Sequence, residues 1–210
     1  MRPAQALCRA QAFEKVPHDF SNIRNRMSWI DQRPDDAMAG AFDAVAPESA
    51  QTVDPVIFRE AMSRLGAAVH VVTTGGTAGR AGVTVTAVAS VSDQPPTILV
   101  CLNRRSGSNT IFRTNGVFCV NTLGAADEQL ADLFAGRTGV AGEERFAPDD
   151  WSKLTTGAPV FNRAVIAFDC RVIDVKAVAT HNVYFATVEA IRTGPSGPVL
   201  VYHERAYKSV

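Results

Sequence analysis

Between residues 67 and 203 the chain writes seven strand-like runs and only two helical stretches, and this constrains the fold more than anything else in it. The runs are AAVHVVTT (67–74), VTVTAVASVS (83–92), TILVCLN (97–103), GVFCVNTL (116–123), AVIAFDCRVIDVKAV (164–178), NVYFATVEAI (182–191) and PVLVYH (198–203). They are rich in Val, Ile, Thr and aromatics, and turn residues punctuate them. The first two are joined by GGTAGRAG (75–82) and read as a hairpin. Helical patterns occur at 107–114 and at 125–135, where Leu130, Leu133 and Phe134 share one face. Strands that outnumber helices in this way predict an antiparallel β-barrel or sandwich and exclude an array of βαβ units.

A short helix precedes the strands. Asp54 is placed to cap it, Pro55 suits its first position, Phe58, Met62 and Leu65 lie on one face, and Gly66 ends it. Upstream, residues 1–54 are rich in Ala, Arg, Asp, Gln and Pro and hold no sustained period, so they read as a flexible extension to a domain over 55–210. Met27 and Met38 are alternative starts.

Lys and Arg number 21 and so do Asp and Glu, which gives a net charge of zero and no basic excess for a nucleic acid. No run approaches the roughly 18–20 apolar residues of a membrane span, and no secretory core is visible, so a cytoplasmic protein is expected. Cys101, Cys119 and Cys170 sit singly inside apolar runs, apart from Cys8, and read as packing thiols. The four histidines are scattered, and no metal site is expected.

Dinucleotide and P-loop glycine patterns are missing, as is the G-x-S-x-G elbow of serine hydrolases. The informative run is Val83–Ser92. Read as one strand, it puts Val83, Val85, Ala87, Ala89 and Val91 on one face, with Thr84, Thr86, Val88, Ser90 and Ser92 on the other. Four hydroxyls on one face suit either a solvated outer surface or a surface that grips a polar planar ligand, and periodicity does not choose between them.

The succession VVTTGGTAGRAGVTVTAVASVSDQPPTILVCLNRRS, GVFCVNTL, GEERF, ATHNVYFATVEAI and LVYHERAY resembles the flavin reductase-like family over about residues 55–210. These are the small partners of two-component flavin-dependent monooxygenases, and the likeness is greatest to the FMN-reducing subunit of a uracil-degrading system. The S-V-S-x-x-P-P element, the apolar strand after it and N-R-x-S carry most of the resemblance. It implies a mainly β fold, an antiparallel Greek-key split β-barrel that binds FMN with a few flanking helices. It also implies a homodimer and NADH:FMN oxidoreductase activity in pyrimidine catabolism.

By the same resemblance, Thr84, Val85, Thr86 and Ala87 with Ser90, Val91 and Ser92 line the flavin, largely through backbone amides. Asn103, Arg104 and Ser106 approach its phosphate, with Arg105 as the alternative to Arg104. His181 stands where the family meets the nicotinamide of NADH, although relatives carry Gly-Asp-His and this chain has Ala179-Thr180-His181. Phe146, Tyr202 and Tyr207 are candidate stacking walls or core aromatics. Arg145 either meets a phosphate or makes a local salt bridge. Reduced FMN would then leave for a separate oxygenase. The rival readings are an enzyme that holds its flavin tightly, a non-catalytic FMN-binding sensor, and a barrel without a cofactor.

Overall fold

The computed structural model describes residues 52–210, so the expected extension at 1–54 lies almost wholly outside the described residues. Helix α1 (Pro55–Ser63) starts as expected: the Asp54 carboxylate accepts from Val56 N (2.6 Å) and Ile57 N (3.3 Å). Its apolar face does not pack inward, however. Phe58, Met62 and Leu65 are 58%, 47% and 60% exposed, and no residue of the helix is buried.

The strands are β1 (Ala67–Ala68), β2 (His70–Thr74), β3 (Ala81–Val85), β4 (Val88–Asp93), β5 (Pro96–Asn103), β6 (Val117–Thr122), β7 (Trp151–Lys153), β8 (Pro159–Phe161), β9 (Ile166–Val178), β10 (His181–Thr193), β11 (Leu200–His203) and β12 (Ala206–Ser209). Helix α2 (Asn109–Asn115) lies between β5 and β6, and α3 (Glu128–Phe134) follows β6. Seven strands form one antiparallel sheet in the order β3-β2-β6-β9-β10-β5-β4, three form β1-β11-β12, and two form β7-β8.

Side-chain alternation divides the interior in two. Val71, Val117 and Cys119 turn to one cluster, with Phe134, Phe146, Phe161 and Leu200. Their neighbours Val72, Phe118 and Val120 turn to the other, with Val100, Leu102, Phe112 and Tyr184. Strand β6 is therefore buried along its whole length, which explains why it reads as a nearly continuous apolar run. The expected face of α3 holds: Leu130 and Leu133 pack against the first cluster, and Phe134 is part of it.

Two expected strands are cut. The 67–74 run divides at Val69, so that β1 pairs with β11 while β2 pairs with β3 and β6. The 83–92 run divides at Thr86-Ala87, and its halves lie at opposite edges of the seven-stranded sheet. A register shift between Ser90 and Ser92 disturbs β4 further. The single hydroxyl-bearing face does not exist. A period of two describes side chains only while one ladder continues, and here the ladder ends after Val85.

The two longest strands, β9 and β10, are joined by Ala179-Thr180. Ala179 has φ 46°, a left-handed conformation that costs a residue with a Cβ roughly 1–2 kcal/mol and glycine far less. The turn is thus tighter than its sequence suggests, and it sets His181 at the start of β10.

His70 of β2 has its Nδ1 3.0 Å from Thr122 Oγ1. Burial pulls its pKa from 6.5 down to about 4. Between those values the unfolded chain takes up a proton that the folded chain refuses. Stability should therefore be flat above pH 6.5 and fall as pH drops toward 4, by about 3 kcal/mol in all. Urea unfolding across this range checks it: His70→Gln should flatten the profile, and an equally steep profile in that variant would assign the effect elsewhere.

Candidate functional site

Two neighbouring cavities open beside β3, the end of β5 and the segment after α3, and they share Asn103 and Ala135. The first, about 620 Å³, is lined by Arg80, Arg105 and Arg145 together with Asn103, Ser106 and Ser108. The second, about 350 Å³, is lined by Thr84, Val85, Thr86, Ala87, Arg137, His181, Tyr202 and Tyr207, among others.

Local chain chemistry builds the first cavity. After β5 the chain turns sharply: Asn103 O accepts from Ser106 N (3.0 Å), and Asn103 Oδ1 accepts from Arg105 N (3.0 Å). Buried Asn109 pins this turn, its Nδ2 donating to Asn103 O (2.5 Å) and to Ser106 O (3.2 Å). Asn182 Nδ2 and the Tyr184 hydroxyl in turn donate to Asn109 Oδ1, at 3.0 and 3.2 Å. Each buried polar group is satisfied, so the turn is held rigidly. Ser106 Oγ donates to Ser108 Oγ (3.2 Å).

The three guanidiniums are not equivalent. Arg80 stacks over Phe146 at 4.8 Å and donates its Nε to Glu143 Oε2 at 2.6 Å. Those hydrogen bonds from Arg80 hold the Glu143 carboxyl below its ordinary value, and the pair largely cancels its own charge. Arg145 donates Nε to Val140 O (2.8 Å). The Arg105 side chain has no acceptor among the described residues, which leaves its fork available to an anion.

The second cavity follows from the break in the 83–92 run. Thr86 O accepts from Val88 N and Ala87 O from Cys101 N, both at 3.1 Å. The N–H groups of Thr86 and Ala87 have no acceptor among the described residues. Both residues are exposed and line this cavity, so two unpartnered backbone donors stand at its rim. The Thr84 hydroxyl is already used, donating to Ala131 O at 2.6 Å, and so ties β3 to α3. Tyr202 and Tyr207 also line this cavity and meet edge to face at 5.5 Å. His181 Nδ1 lies 2.9 Å from Thr180 Oγ1, which leaves Nε2 to a ligand.

Of the residues singled out in the sequence, Thr84, Val85, Thr86, Ala87, His181, Tyr202 and Tyr207 come together in the second cavity, Ser106 and Arg105 in the first, and Asn103 in both. Others lie elsewhere. Ser90, Val91 and Ser92 are exposed on β4, across the break, and line neither cavity. Arg104 turns away, its N donating to Thr180 O (2.9 Å) and its Nη1 to Ala179 O (3.2 Å), so it braces the β9–β10 turn. Phe146 is 4% exposed and packs edge-on against Phe134 and Trp151, which makes it core, not a wall.

Arg80 and Arg137 escaped the sequence reading. No local pattern marks them, because each is a single arginine in a glycine-rich loop. No group of three or more metal-ligating side chains occurs among the described residues. None of their helices is long and apolar enough to cross a membrane.

A family model described as "Flavin reductase like domain" matches residues 62–210. FMN reductase (NADH) RutF of Methylorubrum extorquens is 47% identical over 170 residues, which is 81% of this chain and 82% of that one. Its namesake in Variovorax paradoxus is 46% identical over 173 residues, 82% of this chain and 95% of that one. Among solved structures, BorF, the flavin reductase component of a bacterial two-component tryptophan halogenase, is 26% identical with a TM-score of 0.70, covering 75% of this chain and 98% of that one. The styrene monooxygenase flavin reductase of Pseudomonas putida S12 is 25% identical with a TM-score of 0.63, covering 73% of this chain and 97% of that one. A break that frees two backbone amides, a cation-lined hollow beside it and this body of likeness have one reading: the chain belongs to the flavin reductase-like family.

Proposed function

We propose that the chain is an NADH-dependent FMN reductase that hands diffusible reduced FMN to a separate flavin-dependent monooxygenase, in pyrimidine (uracil) breakdown. The observation that carries this reading is the pair of unpartnered amides at Thr86 and Ala87, beside a hollow holding an unengaged Arg105. A planar ring with several carbonyl and nitrogen acceptors suits the amides, and a dianionic phosphate suits Arg105, Ser106 and Ser108. The residues present therefore fit FMN.

The chemistry bound FMN supplies is acceptance of the nicotinamide hydride by its ring system. The chain does the rest. Thr86 and Ala87 orient the ring edge, Arg105 replaces Arg104 as phosphate ligand, and Tyr202 and Tyr207 wall the ring pocket. His181, whose Nε2 is left open by the Thr180 contact, would help hold the nicotinamide against the ring. The exposure of Thr86, Ala87 and Asn103 suits a product that must leave.

In this reading residues 55–210 form the flavin-binding domain of a cytoplasmic protein, and 1–54 extend it. The large sheet closes as a Greek-key split barrel, since β3 and β4, at its opposite edges, are separated in sequence by only Thr86-Ala87. The exposed apolar side chains of α1, with Val91 at 50% and Ile173 at 58%, support a homodimer, which sedimentation velocity would test.

The deciding experiment is NADH oxidation by purified protein with and without micromolar FMN, repeated with FAD and NADPH. Turnover that requires added FMN and favours NADH is the expected result. Turnover from flavin that survives dialysis would favour a tight-flavin enzyme, and bound FMN without turnover a sensor.

A further inference from the structure

Among the described residues, Arg137 supplies the only guanidinium or ammonium group lining the second cavity. Gly136, with φ 77°, ends the turn after α3 and folds the chain back, so that Arg137 N donates to Asp132 O at 3.1 Å. The side chain returns to the same residue, Nη1 donating to Asp132 Oδ1 at 2.8 Å. The guanidinium also lies over the Tyr207 ring, 5.5 Å from its centroid. Burial pushes the Tyr207 phenol up, so this ring is neutral and brings no charge of its own. Asp132 is the main side-chain partner of the guanidinium, with the Tyr202 hydroxyl a second and lesser one, and several of its donors are unused. Its charge is fixed in place by a backbone turn, a carboxylate and an aromatic face, and the carboxylate, engaged through Nη1 alone rather than through two nitrogens as in the Arg80–Glu143 pair, offsets only part of it.

A fixed cation beside a ring pocket acts on whatever charge the ring acquires. Hydride transfer moves two electrons and one proton from NADH to FMN, which leaves NAD⁺ and a reduced flavin with one more negative charge, spread over its N1–C2=O edge. The phosphate is provided for in the neighbouring cavity by Arg105, so Arg137 is not needed there. We propose that Arg137 raises the affinity of this site for reduced FMN relative to oxidised FMN, and that Asp132 limits the gain so that the product still departs. The proposal rests on the placement of the flavin ring in the second cavity.

The test measures the affinity of the full chain for oxidised FMN and, anaerobically, for dithionite-reduced FMN, by titration without NADH. Arg137→Gln should lower the ratio of reduced to oxidised affinity by about three- to tenfold, since the group is half-exposed and screened. A tenfold change corresponds to about 30 mV in the two-electron potential of the bound flavin. Arg137→Lys should restore most of the ratio, and Asp132→Asn should raise it above that of the parent. A structural role alone would weaken both forms equally, and that result, or an unchanged ratio, overturns the proposal. Ala87→Trp, which fills the cavity rim, separates the two layers of argument. If it leaves FMN binding intact, the ring is not in this cavity and the placement fails along with the proposal. If it abolishes binding while Arg137→Gln leaves the ratio unchanged, the placement stands and only the role of Arg137 is overturned.

Discussion

Replacing Phe134 by alanine is expected to destabilise the protein by about 3–5 kcal/mol and to weaken FMN binding in the same variant. Phe134 is 2% exposed, and it meets Phe146 at 5.2 Å and Trp151 at 5.6 Å, both edge-on. It also closes the gap over Gly82, where a Cβ would stand 2.5 Å from the Phe134 ring. The ring and the missing side chain are thus one contact seen from two sides. Phe134 lines the first cavity, and the residues after it, Ala135, Gly136 and Arg137, line one or both. A hole here loosens the anchor of the segment that forms the shared wall. Chemical denaturation reads the stability and flavin fluorescence the binding. For a domain of this size the loss corresponds to a fall in melting temperature of roughly 6–20 °C. Gly82→Ala gives an independent check. It should cost about 1–3 kcal/mol in the parent through overpacking and much less in the Phe134→Ala background. Additive costs would show that the contact is not the cause.

The second large effect is on ligand affinity. Arg105→Ala should weaken FMN by about 10- to 100-fold, the range for a charge-assisted pair in a partly open site. Riboflavin, which has the same ring without the phosphate, should bind equally well to parent and variant. Arg104→Ala should leave FMN affinity within about twofold, because that side chain braces Ala179 O and lines neither cavity. Isothermal titration with both flavins resolves the three cases. If riboflavin weakens as much as FMN, Arg105 shapes the ring pocket and the phosphate lies elsewhere. If Arg104→Ala loses FMN selectively, the two arginines exchange roles on binding.

These expectations depend on features that differ in how far a reader of the sequence could see them. Valine-rich runs with turn punctuation are local signals, and they place five of the seven expected strands close to where they form; the other two are the runs that break, at Val69 and at Thr86-Ala87. The amphipathic 125–135 segment likewise presents Leu130, Leu133 and Phe134 inward. The strands β7, β8 and β12 have three, three and four residues, too short for alternation to register. Helix α1 shows the limit from the other side. Its pattern is amphipathic, yet its apolar face has no partner among the described residues, since periodicity says which face is apolar and not what meets it.

By itself the sequence determined the β-rich class, the start of α1 at Asp54 and, through ordered motifs, the family. All of these are carried by residues near one another in the chain. Only the tertiary structure decided that the 83–92 run breaks at Thr86-Ala87, because the break exists to send β3 and β4 to opposite edges of one sheet. Tertiary structure alone also put Arg105 and not Arg104 on a cavity wall, moved Phe146 into the core and brought Arg80, Arg105 and Arg145 to one hollow, with Arg137 in the next. Those arginines come from separate short segments, three of them loops or turns and Arg145 the end of a 3₁₀ turn, and a charge in such a segment has no period. Where it ends up depends on which strands pair, and strand pairing is settled by burial across the whole sheet.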